Sequence, residues 1–224
     1  MAWLFYLTVK HNGLFCMPNS GFSFVACNRF SIFGFDIFTQ VIMAGIDVKG
    51  IIDSCYPEEN ELKKIYNIHA EKVTSLALEM ARRHPELDID MQFVEEAAML
   101  HDLGIYLTDA PRIYCYGTEP YLCHGYLGAE LLRALGHERH ARVCERHTGT
   151  GLTKETILAK GWGLPVKDFV PETIEEQLIC FADKFYSKTK YLETARSFEQ
   201  VVASMAAISP ESVEKVERWA AMFM

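Results

Sequence analysis

From Glu61 onward the apolar positions recur every three or four residues, the period of an amphipathic helix rather than the alternation of a strand. Leu62, Ile65, Tyr66, His69, Val73, Leu76 and Met80 fall on one face of a predicted helix that ends near Arg83, ahead of Pro85. Phe93, Val94, Ala97, Ala98, Leu100 and His101 mark the next, with Gly104 expected as its C-cap. A third helix is expected from about Leu122 to Leu135 with Gly136 after it, and a fourth from Glu138 to about His147. Thr173 and Glu176, following Pro171, have the spacing of a capping box and open a helix carrying Leu178, Phe181, Ala182, Asp183 and Phe185. Ser209 and Pro210 read as the N-cap and first position of the last helix. No convincing strand run is found. The expected fold is therefore all-α, a helical bundle whose stretches 105–121 and 148–171, rich in Gly, Pro and aromatics, are long loops.

Residues 1–42 break this pattern. They hold eight of the 14 Phe and only three charged residues, Lys10, Arg29 and Asp36, with neither a helical nor an alternating period. The expected organisation is a hydrophobic N-terminal extension over 1–42 and one folded domain over 43–224. Three readings of the extension stay open: a docking segment, an over-long reading frame whose start is Met43, and a membrane-targeting segment. Its longest apolar stretch, Met1 to Val9, falls far short of the roughly 20 residues of a membrane helix and lacks the basic start of a secretory signal. No membrane span is expected.

Composition narrows the partners. At 224 residues, 50% apolar and 23% charged, the chain has the make-up of a globular protein with a sizeable core. A net charge of -8 excludes a general electrostatic attraction to nucleic acid or anionic membrane, so an anionic substrate would need local positive charge. The seven Cys form no CxxC pair and are odd in number, which excludes a thiolate zinc site and a disulfide framework as natural readings. They are expected to be reduced and mostly buried, as in a cytoplasmic protein.

Six residues carry the candidate chemistry: His69, His101, Asp102, His124, His147 and Asp183 fall on the inner face or at the inner end of successive helices. One histidine on an apolar face is ordinarily a hydrogen-bonded core residue. Six imidazole and carboxylate groups together must be paired or metal-bound, because each is costly to bury alone. Four imidazoles and two carboxylates without a thiolate suit Fe, Mn, Co, Ni or Zn better than calcium. Adjacent side chains within a helix cannot both chelate, so the His101-Asp102 pair is expected at a helix end, where the two Asp102 oxygens can reach different ions.

This ordered set resembles the HD-domain superfamily of metal-dependent phosphohydrolases, whose His, His-Asp and distant Asp are matched by His69, His101-Asp102 and Asp183. His101-Asp-Leu-Gly104 is similar to the frequent HDIG form, and the resemblance covers roughly residues 60–190. With His124 and His147 it extends to members that hold two metals. The resemblance implies two divalent transition metal ions, the first on His69, His101, Asp102 and Asp183, the second on Asp102, His124 and His147. Ile105 stands where many signalling phosphodiesterases of the superfamily carry Lys, which lowers the cyclic-dinucleotide reading. Two bound ions lower the pKa of a shared water and bind phosphoryl oxygens. Beside the bridging Asp102, Arg146 and Lys184, each next to a ligand, are the expected phosphate clamps; each is equally read as a solvated surface charge. Arg112 is read first as a plain loop charge. Trp162 and Trp219 are expected to pack, with Trp162 also placed at a pocket mouth as a lesser reading.

The resulting expectation is hydrolysis of a phosphate ester or anhydride of a small molecule, a nucleotide foremost. Two alternatives remain open at the level of sequence. The same six ligands serve di-iron oxygenases of this fold, and a non-catalytic metal-binding module would use them for neither reaction. Oligomeric state is not legible.

Overall fold

The computed structural model describes residues 45–224, so the expectations for residues 1–42, including Trp3, Cys16 and Cys27, lie outside the described residues. Nine α-helices make up the described part: α1 (Val48–Cys55), α2 (Glu61–Arg83), α3 (Met91–Leu100), α4 (His124–Ala134), α5 (Glu138–Arg146), α6 (Lys154–Lys160), α7 (Ile174–Asp183), α8 (Phe198–Ala206) and α9 (Pro210–Phe223). The fold is all-α, as the periodicity indicates.

Local chemistry sets the helix starts. Asn60, Asp90, Thr173 and Ser209 each accept a hydrogen bond from the backbone N–H three residues on, satisfying a donor that the first turn leaves free. At α7 the reciprocal half of the expected capping box is missing. The Glu176 carboxylate accepts from Glu172 N instead and pairs with Arg142 and Arg146, so only the Thr173 half is made. The full box occurs at α8, where Ser197 and Gln200 cap each other. Gly136 ends the α4 turn with φ of +84°, a conformation that costs glycine little.

Two stretches expected as loops contain regular structure. Within 105–121, three short strands, β1 (Thr108–Ala110), β2 (Cys115–Tyr116) and β3 (Glu119–Pro120), form a sheet in the order β2-β1-β3. β1 runs antiparallel to β2, with Asp109 opposite Tyr116, and parallel to β3, with Thr108 opposite Glu119. Strands of two or three residues are too short to show an alternating pattern. Within 148–171, α6 occupies Lys154–Lys160, capped by Thr153 and closed by Gly161 in the left-handed conformation. Helices α1 and α8 also lie outside the segments that periodicity assigned.

The interior holds two large apolar clusters. One gathers Val73, Ala77, Phe93, Val94, Ala97, Phe181, Val201, Trp219 and Phe223 from α2, α3, α7, α8 and α9. The other gathers Ile51, Ile52, Tyr66, Ala70, Leu100, Leu103, Ile105, Leu132 and Cys144 from α1, α2, the turn after α3, α4 and α5. Along α2, Ala70 belongs to one cluster and Val73 to the other. Along α3 and the turn after it, Ala97 and Ala98 belong to the first and Leu100 and Leu103 to the second. The candidate ligands sit at this seam, inside the protein but between two hydrophobic bodies.

Gly104 is not the left-handed C-cap expected of it: its φ is -86°. Its requirement is space. A Cβ there would lie 2.3 Å from His124 O and 2.4 Å from Gly128 N, and a Cβ on Gly128 would lie 2.5 Å from Cys144 Sγ. The two glycines let the start of α4 press against the turn after α3 and against α5. This close approach brings His124 up to Asp102.

Candidate metal centre

The six ligands arrive from five places. His69 projects from the middle of α2, and His101 and Asp102 occupy the turn that ends α3. His124 begins α4, His147 caps α5, and Asp183 is the last residue of α7. The structure brings all six together in two groups that share Asp102: His69, His101, Asp102 and Asp183, and Asp102, His124 and His147. Within each group the ligand atoms lie within 4.8 Å of one another. Asp102 Oδ2 is 3.0 Å from the Nε2 atoms of both His69 and His101. Asp102 Oδ1 is 3.4 Å from the Nε2 atoms of both His124 and His147. Asp183 Oδ1 completes the first group at 3.0 Å from His69 Nε2.

Backbone carbonyls set the imidazoles. His101 Nδ1 donates to Ala98 O at 2.6 Å, His124 Nδ1 to Tyr121 O at 2.6 Å and His147 Nδ1 to Cys144 O at 2.7 Å. Each is a bond to the residue three positions earlier, which places the ring and leaves Nε2 to face the cluster, the arrangement typical of metal-bound histidine. Burial pushes the His124 imidazole down to about 3, helped by the neighbouring His147, and also lowers His147. Both rings are therefore neutral near pH 7, and with Nδ1 protonated their Nε2 lone pairs oppose each other at 3.0 Å. Two lone pairs at that distance repel; a cation between them turns repulsion into coordination. At metal–nitrogen distances of about 2.0–2.1 Å, ligand atoms on one ion stand roughly 3.0–3.4 Å apart, the separations found here.

Asp102 points the same way. It is 1% exposed, and although Lys188 stands against Oδ2, neither oxygen accepts a well-aligned hydrogen bond; Oδ1 has only imidazole nitrogens near it, and buried His69 Nδ1 lacks a partner as well. Buried polar atoms without partners are rare in proteins and imply a ligand of another kind. Burial opposes charge on Asp102 and Asp183, but lysine and histidine neighbours outweigh it and hold both carboxyls well below the usual carboxylate range. At His101 burial works against the imidazolium, and the Asp102 and Asp183 carboxylates overcome it, raising the group to about 9. The residues present thus fit divalent metal, which would replace that proton.

The lysines and arginine beside the ligands divide by what they touch. Lys184 is buried; its ammonium donates to Asp183 Oδ2 at 2.7 Å and to His147 O at 3.0 Å, joining one residue of each group. Its position is that of a brace for the ligands, not the phosphate clamp expected from sequence and not a solvated charge. Arg146 turns away from the cluster: its Nη1 bonds Val170 O at 3.2 Å, Glu172 at 2.9 Å and Glu176 at 3.2 Å. It ties α5 to the start of α7.

Lys188 is the residue that sequence reasoning missed. Its ammonium lies 2.5 Å from Asp102 Oδ2 and 3.3 Å from His69 Nε2, with its side chain 10% exposed. Burial disfavours this charge, but Asp102 more than compensates and keeps it protonated. The available signal was a lysine five residues beyond the last ligand, on a segment past the end of α7 where no helical register says which way it points. Cys144 and Cys180 back the ligands by donating to His101 O and His147 O. The five cysteines of the described residues are free and four are buried. Trp219 is buried in the core, and Trp162 lines a cleft among whose walls none of the six ligands appears.

The family model for the HD domain matches residues 66–187. The chain belongs to the HD-domain family. An uncharacterised protein of Methanocaldococcus jannaschii is 37% identical to it over 128 residues, covering 56% of this chain and 68% of the relative. A tRNA (cytidine(56)-2'-O)-methyltransferase of Picrophilus torridus is 38% identical over 125 residues, and one of Thermoplasma volcanium 32% identical over 126. This HD domain chain spans only 32% of the length of each of those two. No solved structure matches it significantly. No helix of the described residues is long and apolar enough to cross a membrane.

Proposed function

We propose that this HD domain is a dinuclear metal-dependent phosphohydrolase that cleaves a phosphate ester or anhydride of a small molecule, with a nucleotide as the favoured class. The observation that carries this reading is the division of Asp102: one oxygen faces His69 and His101, the other His124 and His147. A single ion would not require a carboxylate whose two oxygens are aimed at separate pairs of imidazoles.

Two divalent ions held there would supply a hydroxide at neutral pH and positive charge for phosphoryl oxygens. The chain's own residues do the rest. The carbonyls of Ala98, Tyr121 and Cys144 hold three imidazoles in the ligating tautomer. Lys184 steadies Asp183 and the His147 backbone. Local cationic charge at such a site reconciles an anionic substrate with a chain of net charge -8. The methyl transfer named for two relatives is not carried over, since the chain spans a minor part of each. The oxygenase alternative uses the same donors and separates by redox behaviour.

The test is metal analysis of the purified chain followed by a screen of nucleotides and small phosphate esters for released phosphate. The expected result is two ions per chain and metal-dependent phosphate release that a chelator abolishes. Oxygen consumption with a mixed-valent di-iron signal, without phosphate release, overturns the proposal.

A further inference from the structure

Beside the ligand cluster opens a pocket of about 250 Å³ whose walls include Arg112, Ile113, Tyr121, Ser187, Lys188 and Thr189. No acidic residue lines it, an exception in a chain that carries 30 Asp and Glu against 22 Lys and Arg. Two of its residues reach the metal centre directly. Lys188 touches Asp102 and His69, and the Tyr121 ring stacks on the His124 imidazole with centroids 4.7 Å apart and planes 23° from parallel. Tyr121 nevertheless stays 37% exposed and is one of the pocket's walls. The Lys188 ammonium lies 6.0 Å from the centre of that ring. Arg112 is exposed and pairs with no carboxylate among the described residues. Arg146, Lys184 and Lys188 all pair with protein groups, but of the three Lys188 alone also lines this pocket.

Resting on the nucleotide hydrolase reading, we propose that this pocket is the substrate site, in which Lys188 and Arg112 receive the phosphate and the Tyr121 ring carries the base. A sugar phosphate would engage the two cations and leave the aromatic face unused. Charge-assisted contacts to phosphate and base–aromatic stacking are each worth about a tenfold change in affinity or more. The pocket thus discriminates twice, by charge and by ring.

The experiment is calorimetric binding to the full metal-loaded chain of two probes: inorganic phosphate, and a methylenephosphonate analogue of adenosine 5'-phosphate whose P–C bond resists hydrolysis. The analogue should bind at least tenfold tighter than phosphate. Lys188→Met should weaken both probes about tenfold or more, and Arg112→Ala both severalfold. Tyr121→Ala should weaken the analogue alone, and Tyr121→Phe should recover it. Metal content is measured alongside; if Lys188→Met loses metal, the loop variant Arg112→Ala and the Tyr121 pair decide. Unchanged affinity for both probes in Arg112→Ala and Tyr121→Ala overturns the assignment. The hydrolase reading is tested separately by phosphate release from natural nucleotides: probe binding lost in these variants without any hydrolysis by the parent chain removes the hydrolase and leaves the pocket.

Discussion

The two ligand groups share one carboxylate but are built differently. The first, His69, His101, Asp102 and Asp183, draws on the long α2 and the ends of α3 and α7, elements packed around the larger apolar clusters. It has two carboxylates, each with a lysine against it: half-buried Lys188 on Asp102 and buried Lys184 on Asp183. The second, Asp102, His124 and His147, has only a shared carboxylate oxygen and two neutral imidazoles, on α4 and α5. Its geometry depends on a backbone contact that only glycine permits, at Gly104 and Gly128. The first group is thus strong in charge and anchored in hydrophobic packing, while the second is weak in charge and held by close backbone approach. On the proposed dinuclear reading, two ions bound to such groups should differ in affinity, the first tighter and the second first to leave.

The largest expected effect comes from removing what the groups share. Asp102→Ala should abolish turnover and reduce the metal content from two ions to one loosely held or none, read by elemental analysis per chain. Retention of two ions would show that Asp102 does not bridge.

Breaking the groups one at a time sharpens the contrast. His124→Ala or His147→Ala should leave close to one ion per chain and lower activity by orders of magnitude, because on the proposed mechanism a hydroxide would then be activated by one ion in place of two. His69→Ala should empty the first group while α2 stays helical by circular dichroism, since Ala is the best helix former. A parent chain with a single ion, together with full activity in both second-group variants, returns those histidines to the role of core residues.

A smaller effect is expected from Gly128→Ala. The added methyl would lie 2.5 Å from Cys144 Sγ and 2.8 Å from Gly104 N, and relieving this overpacking should cost about 1–3 kcal/mol in denaturant titration. Because α4 must back away, the second ion should be lost at lower chelator concentration than in the parent, with the first unaffected.

Arg146→Ala should act on stability alone. Glu176, 3% exposed, would keep Arg142 but lose one partner, a cost of about 1–2 kcal/mol, with metal content and KM unchanged. A raised KM would restore Arg146 to the substrate site. The smallest effect is proposed for residues 1–42: a chain beginning at Met43 should melt cooperatively and hold the same metal, and insolubility or metal loss would make the extension part of the fold.

Helical periodicity was readable along α2, α3, α4, α5 and α7 because each buries one face against a core, and burial on one side of a helix repeats every three to four residues. The short strands and α6 left no such trace: two- or three-residue strands and a seven-residue helix bury too little to impose a period. Gly104 was legible as a special position but not for its reason, since a helix ending and a tight backbone crossing both call for glycine and only the neighbouring α4 tells them apart.

The sequence by itself determined that the chain is all-α, that His69, His101, Asp102, His124, His147 and Asp183 lie along successive helices, and that they have the chemistry of metal ligands. These follow from local propensity, burial periodicity and donor type, all properties of residues near one another in the chain. Tertiary structure alone decided which way the charges beside them face. Arg146 and Lys184 are neighbours of ligands in sequence, yet one turns to Glu172 and Glu176 and the other to Asp183 and His147 O. Lys188, past the helix end, reaches Asp102 and His69. A charged side chain goes to the opposite charge that the folded backbone brings near, and that partner comes from an element far away in the chain.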